Sequence, residues 1–541
     1  MYAKLIMLFK KGARLSCDNY RGISIISSIA KIYDYVLYNR LSQWWQPDRE
    51  QAGAQPGRGC AEHLVTLRLL MEFSFRKRKK LFIAYIDFVK AYDKVPRKLL
   101  FLILKKLGCG VIMLAALISM YKITHSILGI AVISAVVGVR QGSPTSCFLF
   151  ILFVNVLIRD IKLKSGPDSF LDWLHVLMLM DDTVILASSR KRLIDKLSIL
   201  DEYCIIHGMM MNESKTKFMV INGSAEDCMP IRLSDIVVKL CDKYLYLGSI
   251  YTANGSSVSS LHAQARDKRK QLNKLLIFLR VNKDMPFPIK RKVVEACFNS
   301  SLLYGCESWL NVNLKAMETL YIAAVRALLC VRQSIPAEIC LVEAGMLPLS
   351  TLIKKRQFIF FTNMLAVRRQ LDDDPLIFAL DLAREAIPSM NRYIESVLSF
   401  SELYETERLL NDRFRNCKPD QTRYMTYMNI NPNLNMHSIY SRRCSHIIFI
   451  PEHYRIAFTR MRTSSHRLKI ETGRWSRLTR DRRICKCGEG IGDEEHVLTK
   501  CKLTQKLRDD FGSDISYPRF LEYALEEREF KLIYDMLKVV E

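Results

Sequence analysis

Apolar and polar positions change period along the chain, and the change marks out its elements. In "SSIAKIYDYVLYNRLSQWW", Ile29, Ile32, Tyr33, Val36 and Leu37 recur at helical intervals. "QAGAQPGRGCAEHLVTLRLLMEF" reads as a Gly/Pro loop entering a second helix, so residues 1–80 are expected to be mixed helix and loop. "LFIAYID" (Leu81–Asp87) is a short apolar run ending in an acid, the pattern of a buried strand. Helices are predicted from Pro96 to Tyr121. Strands are predicted to flank "VVGVRQGSPTS", with a helix running on through Leu157. "HVLMLMDDTVILAS" (His175–Ser188) predicts a β-hairpin, and "RKRLIDKLSILDEYCIIHG" an amphipathic helix. Residues 255–470 read as mostly helical, and the charge-mixed stretch Glu402–Arg423 reads as a surface helix or connector.

With 541 residues, 49% of them hydrophobic, the chain can bury a large core divided among several domains. Two apolar stretches resemble membrane spans. Val111–Val139 contains Lys122 and His125 and breaks at Gly129, and Cys147–Ile158 is shorter than the roughly 20 residues a bilayer needs. Both are expected to be buried elements of the core. The sixteen cysteines are mostly isolated and "MYAKLIMLFKKG" is not a signal peptide, which points to free thiols and an intracellular, non-secreted protein. The net charge of +26 is spread through "SFRKRKK", "ARDKRKQLNK", "IKRKV" and "GRWSRLTRDRR". A distributed excess of that size suits a nucleic-acid partner, whose phosphates attract it without regard to sequence.

The chemistry concentrates in acids. Asp87 closes a buried strand, and Asp181 and Asp182 stand together at the turn of a buried hairpin. Burying an unpaired carboxylate costs several kcal/mol or more, and Asp-Asp is not a favoured hairpin turn. A divalent cation resolves the conflict, because hard oxygen ligands hold Mg²⁺ and the ion offsets their repulsion. Three carboxylates from separate segments can hold two such ions, about 3.5–4 Å apart. A lone acidic pair is more often a solvated turn, so the neighbouring motifs decide.

"AYIDFVKAYDKVP" (Ala84–Pro96), "GVRQGSPTS" (Gly138–Ser146) and "LMDDTVILAS" (Leu179–Ser188) resemble, in order and spacing, the palm motifs of reverse transcriptases. "NESKTKFMV" (Asn212–Val220) and "KYLYLGS" (Lys243–Ser249) resemble the next two, and "FKKGARLSCDNYRGISIISSIAKI" and "QAGAQPGRG" resemble the fingers motifs. The wording is most similar to reverse transcriptases of non-LTR (LINE-type) retrotransposons. The resemblance implies an α+β right-hand polymerase fold: fingers (1–80), a palm with an antiparallel sheet and the active site (81–254), and a helical thumb (255–345). A mostly helical basic connector (346–470) and a C-terminal Cys/His region (471–541) would follow.

The resemblance also implies roles. Asp87 and Asp181 would hold two Mg²⁺ ions with Asp182 as the less direct ligand, and the Phe88 carbonyl would add one. Asp93 would face away and fix local structure. Tyr92 matches the aromatic gate against a ribose 2′-OH, the group that separates the two nucleotide classes. Gln141, Gly142, Ser143 and Pro144 match the loop against the template base and incoming nucleotide. Arg21, with Lys10 or Lys11, matches the cations on the triphosphate, and Lys215 a general acid or phosphate contact. Tyr246, Leu247 and Gly248 match the primer grip. Leu179 and Met180 depart from the usual aromatic and alanine before the acid pair, and Ala54-Gln55 departs from the usual Phe-Arg.

Cys485, Cys487, His496 and Cys501 give C-x-C-x8-H-x4-C, three thiolates and an imidazole suited to one tetrahedral Zn²⁺ in a small zinc knuckle. The expected activity is RNA-directed DNA polymerisation, in which dNTPs extend a DNA primer 3′-OH on an RNA template. The alternative is a catalytically silent nucleic-acid-binding remnant. Related elements carry an upstream endonuclease, and Met1 lies almost directly before the fingers motif. The expectation is therefore a truncated copy or partial gene, with strand nicking supplied by another polypeptide. The site of action would be nuclear, after cytoplasmic translation, with no membrane partner.

Overall fold

The computed structural model describes all residues except 1, 11, 17–18, 369–372, 418–421, 435–449, 513–514 and 525. The chain divides into two compact units: residues 1–260 with 364–392, and residues 261–363 with 393–541.

The first unit opens with two strands where mixed helix and loop were expected. β1 (Tyr2–Phe9) and β2 (Tyr20–Ile25) pair antiparallel, with Leu8 opposite Arg21. α1 (Ser28–Trp44) and α2 (Cys60–Lys77) form where helices were expected, but of the α1 residues that marked the period Ile29, Ile32, Tyr33 and Val36 are exposed, and the helix buries Ala30, Asp34, Leu37 and Leu41 instead. β3 (Leu81–Ile86) is buried along its whole length. After it come α3 (Ala91–Lys94), α4 (Arg97–Lys106) and α5 (Val111–Tyr121).

β4 (Thr124–Leu128) and β5 (Ala131–Ala135) form a hairpin that joins the first two strands in the order β2-β1-β4-β5. The expectation of a buried core fails for this hairpin, since Ile130, Val132 and Ile133 are exposed. Its sheet pairing satisfies the backbone while leaving apolar side chains outside. Only one of the two strands expected around "VVGVRQGSPTS" exists. Downstream, α6 (Pro144–Ser165) begins inside the motif, because proline at a first helical position lacks only an N–H that would have no partner there.

β6 (Val176–Leu179), β7 (Asp182–Ala187), α7 (Arg190–His207), β8 (Lys217–Ile221), β9 (Ile231–Arg232) and β10 (Val237–Leu240) complete the unit's main layer. The sheet order is β6-β7-β3-β8-β10-β9. It departs from the expected antiparallel sheet at one pairing, β8 with β10, which is parallel. The segment between those strands carries β9 and is long enough for the crossover that a parallel pair requires. Phe82, Ala84 and Ile86 of β3 face a core shared with α6 and α7, including Phe150, Phe153, Leu197 and Leu200. A separate ribbon follows, β11 (Lys243–Tyr246) and β12 (Ser249–Thr252). The helix Pro375–Ala386 packs on α2 although it is far away in sequence.

The second unit is helical and has its own core, from Leu261 through Trp309, Leu328, Phe414 and Phe458 to Val540. Of the two readings of Glu402–Arg423, the helix holds for Glu402–Arg415, which buries Leu410 and Phe414, while residues 418–421 lie outside the described residues. Among the described residues, no helix is long and apolar enough to cross a membrane.

Candidate active site and Cys/His cluster

β3 runs antiparallel to β7 with Ile86 opposite Thr183, and one further step of that register sets Asp87 against Asp182. The chain just past β3 is pinned from the other side. The Asp87 N–H donates to Thr216 Oγ1 (3.3 Å), the Asn212 N–H to the Asp87 carbonyl (2.8 Å), and Phe88 bridges to Met211. β6 and β7 close with Leu179 opposite Asp182, which leaves Met180 and Asp181 as a two-residue turn. Met180 takes a left-handed φ of 60°. Positive φ at the first central residue belongs to the mirror-image turns that match strand twist.

The carboxylates act on one another. Asp182 is pushed up to about 6, by burial first and then by Asp181 and Asp87, although the residue as a whole stays exposed to solvent. Asp181 is also raised, chiefly by burial; Arg21 and Lys10 oppose the shift, and Asp87 adds to it. Lys215 reaches Asp87 directly, its Nζ 2.9 and 3.1 Å from the two carboxylate oxygens.

Tyr92 lies over Phe150, ring centroids 4.2 Å apart, and its hydroxyl hydrogen-bonds Cys147. Burial raises that hydroxyl's pKa well above the ordinary phenol, and the field of Asp181 adds to the shift. Gly142 has φ 113°, and a Cβ there would stand 2.6 Å from the Ser24 carbonyl of β2. The Ser24 N–H in turn donates to the Gln141 carbonyl (2.8 Å). Beneath this loop the fully buried Asp34 of α1 accepts from the hydroxyls of Ser143 and Thr145. The Tyr121 hydroxyl lies 2.9 Å from Thr145 Oγ1 and 2.7 Å from Ser146 Oγ. Pro144, as noted, starts α6.

Lys10 is exposed and Lys11 lies outside the described residues. Asp93 is exposed, and its carbonyl would lie 2.7 Å from a Cβ on Gly138, whose φ is 80°. Tyr246 is buried with its hydroxyl 3.4 Å from His63 Nδ1, and Leu247 and Gly248 turn the ribbon at φ 44° and 77°.

The fold thus gathers Asp87, Asp181, Asp182, Arg21, Lys10, Lys215 and Tyr92 around one space. Tyr244 was not singled out from the sequence. It stacks on Tyr85 of β3 (4.1 Å, 6°) and its hydroxyl is pushed up to about 12, by burial and then by Asp87 and Asp182. The period-2 spacing of Tyr244 and Tyr246 carried the signal, since residues two apart on a strand share a face. Gln51 and Asp34 carried none that a single sequence displays.

In the second unit, the ligand atoms of Cys485, Cys487, His496 and Cys501 all lie within 4.8 Å of one another. Cys485 Sγ is 3.7 Å from Cys501 Sγ, and Cys487 Sγ is 3.1 Å from His496 Nε2. A bridge between Ile484 and Ile491 closes the loop, and the Cys485 N–H donates to the Gly490 carbonyl (2.8 Å). A short helix, Glu494–Thr499, capped by Asp493, presents the histidine. A Cβ on Gly490 would come within 3.3 Å of His496 Nδ1, so a glycine leaves the imidazole its room. Burial pushes the Cys485 thiol up to about 12. Cys487 is brought down to about 7 against its burial cost, by the Glu489 backbone and His496 acting together with the neighbouring thiols.

Carboxylates at adjoining strand ends, met by arginine and lysine from a second sheet, are the arrangement used for phosphoryl transfer among nucleic-acid polymerases. The comparison with known proteins narrows the class. Residues 9–251 match the family described as reverse transcriptase (RNA-dependent DNA polymerase), and the relatives similar to this part of the chain are polyproteins of retrotransposable elements. The retrovirus-related Pol polyprotein from type-1 retrotransposable element R2 of Nasonia vitripennis is 24% identical over 47% of this chain and 26% of its own length. The corresponding type-2 element R2DM polyprotein of Drosophila melanogaster is 25% identical over 44% of this chain and 24% of its own. The match thus spans about a quarter of these relatives' length. A solved structure of Candida albicans telomerase with a fragment of telomeric RNA is 13% identical, with 74% of this chain and 64% of that chain covered and a TM-score of 0.34.

Proposed function

We propose that this chain is an RNA-directed DNA polymerase that extends a DNA primer 3′-OH on an RNA template with dNTPs, acting in the nucleus. The observation that carries the reading is the cluster of Asp87, Asp181 and Asp182, in which burial and the neighbouring carboxylates hold Asp181 and Asp182 back from full ionisation, with Arg21 and Lys10 in the field of Asp181. That donor set fits a hard divalent cation better than solvent alone. Asp87, Asp181, Asp182 and the Phe88 carbonyl are the groups that would hold two Mg²⁺ ions, whose chemistry is to activate an attacking hydroxyl and to neutralise a leaving pyrophosphate.

The remaining work falls to the chain. Arg21 and Lys10 hold the triphosphate, arginine through its bidentate fork. Tyr92, fixed by its stack on Phe150, fills the space of a 2′-OH and selects deoxynucleotides. Gln141 and Gly142 lie against the base pair, with a backbone that can come close because position 142 has no side chain. Lys215 keeps Asp87 paired until substrate arrives, then turns its charge to the phosphates. Tyr246, Leu247 and Gly248 grip the primer end. In the second unit, Cys485, Cys487, His496 and Cys501 hold one structural Zn²⁺, a reading supported by their tight spacing and donor set.

The test is primer extension by the purified chain on a primed RNA template with Mg²⁺. DNA synthesis is expected with dNTPs and not with NTPs, and Asp181→Asn is expected to lower it by roughly 1,000-fold or more with RNA binding retained. Tight, salt-sensitive RNA binding without extension by the parent chain would overturn the proposal.

A further inference from the structure

The turn that carries Asp181 is held from outside the hairpin. Residues 50–53 run along the free edge of β6, with Gln51 bridged parallel to Met178. The Met178 N–H donates to the Glu50 carbonyl (2.9 Å), and the Ala52 N–H donates to the Met178 carbonyl (2.9 Å). Gln51 is fully buried. Its Oε1 accepts from the Met180 N–H (2.9 Å) and the Gly53 N–H (2.8 Å), and its Nε2 points to the Met180 carbonyl at 3.4 Å. The strap is anchored on either side of this contact. The Glu50 carboxylate pairs with Lys162 of α6 at 2.7 Å, and the Arg58 guanidinium reaches both the Gln51 carbonyl (3.4 Å) and Glu62 (2.9 Å).

Two further observations make the contact more than a satisfied buried amide. Met180 holds a left-handed backbone that a residue with a Cβ adopts only when its surroundings impose it. Gly53 approaches so closely that a Cβ there would stand 2.6 Å from the Met180 nitrogen and 2.5 Å from its sulfur. The approach of the strap, the amide of Gln51 and the φ of Met180 all converge on the peptide that leads into Asp181.

We propose that Gln51 is a positioning residue for the catalytic carboxylates. Its side-chain amide closes the Met180–Asp181 turn from outside, and this fixes the direction in which Asp181 presents its oxygens to a divalent cation. The inference rests on the reading of Asp181 as a metal-holding residue. It also explains how a bulky Met180 serves where the turn geometry favours glycine. The Gln51 clamp, reinforced by the missing side chain at position 53, supplies the constraint that the turn residue itself does not.

The experiment uses the full chain and three readouts: hydrogen exchange of a peptide spanning residues 176–184, Mn²⁺ affinity from the free-ion spin resonance signal, and kcat and KM for dNTP. Gln51→Met keeps length and volume but removes the acceptor. It is expected to speed exchange of the turn and to weaken Mn²⁺ binding by about 10-fold or more, and to lower kcat by roughly 10–100-fold with KM little changed. Gln51→Glu, which keeps an acceptor for both N–H groups, is expected to restore the exchange protection. Should Gln51→Met fail to fold, Gly53→Ala tests the same clamp with Gln51 intact, because the new Cβ displaces Met180, and the same loss of Mn²⁺ affinity is expected. A folded Gln51→Met or Gly53→Ala chain with exchange and Mn²⁺ affinity like the parent overturns the proposal. Loss of protection and affinity in Gln51→Met, together with a parent chain that makes no DNA, would sustain the clamp and sink the polymerase reading instead.

Discussion

In the C-terminal cluster the four ligand atoms come from one short stretch and lie within 4.8 Å of one another, whereas the palm carboxylates come from strands far apart in sequence. The difference shows in what surrounds them. Cys485 to Cys501 are held by their own loop, through the Ile484–Ile491 bridge and the helix capped by Asp493. Asp87, Asp181 and Asp182 depend on groups from elsewhere: Thr216 and Asn212 behind Asp87, Gln51 outside the turn, and Asp34 under the neighbouring loop. A local site can be read as a spacing. A site assembled by the fold needs positioning residues, and those leave no spacing to read.

The comparison breaks most sharply at Cys501, which is fully buried. If the cluster holds zinc, its folding and metal binding are one event, with roughly 10–16 kcal/mol of metal affinity at stake in comparable small sites. Cys501→Ser is expected to remove the roughly one zinc per chain found by elemental analysis and to open residues 484–504 to protease. Asp181→Asn should leave both zinc content and protease pattern unchanged. A metal-free parent chain with the same protease resistance would remove the distinction between the two sites.

A smaller effect sharpens the palm side. Tyr92 is fixed by its stack on Phe150 and by Cys147, so its ring cannot swing away from an incoming ribose without unstacking. Tyr92→Val is expected to raise NTP use relative to dNTP use by roughly 10–100-fold while dNTP extension persists, measured as the ratio of kcat/KM values. Unchanged discrimination would move the gate elsewhere, with Phe150 as the nearest aromatic neighbour.

What the sequence displayed follows the same division. Asp87 was legible because β3 is a uniformly buried run that ends in an acid, and the Asp181–Asp182 pair because it interrupts an otherwise apolar and buried hairpin. The cysteines were legible by spacing alone. β1 and β2 were not, because their apolar residues are largely exposed and form no one-sided stripe; Ile6, Met7, Leu8 and Phe9 in succession are all accessible. Nor was the return of residues 364–392 to the first unit, where Arg368 reaches Glu62 of α2 at 2.6 Å, because periodicity predicts a helix and not its distant partner. Gln51, set in a Gly/Pro-rich loop, reads as ordinary turn chemistry until the strand beside it is known. Tyr244 needed only the face it shares with Tyr246.

The smallest effect tests the electrostatics of the palm directly. The Asp182 carboxyl is held at about 6 in the folded chain, above the unfolded value of about 3.9, by burial and by Asp181 and Asp87. Between these two pH values the folded state binds more protons than the unfolded one. Without a metal, stability therefore falls as pH rises through that window, and the loss is complete above it. Asp182 is also solvent-exposed, so screening limits the cost to about 1 kcal/mol or less. Asp182→Asn removes it, and the metal-free variant is expected to melt about 1–3 °C above the parent at pH 7 and no higher at pH 4. Added Mg²⁺ should close the gap by stabilising the parent alone, since a cation then does what the proton did at low pH. A variant that melts below the parent at pH 7 without metal would mean that Asp182 is stabilised by a partner it keeps when ionised, and the palm acids would then resemble the self-contained Cys/His cluster after all.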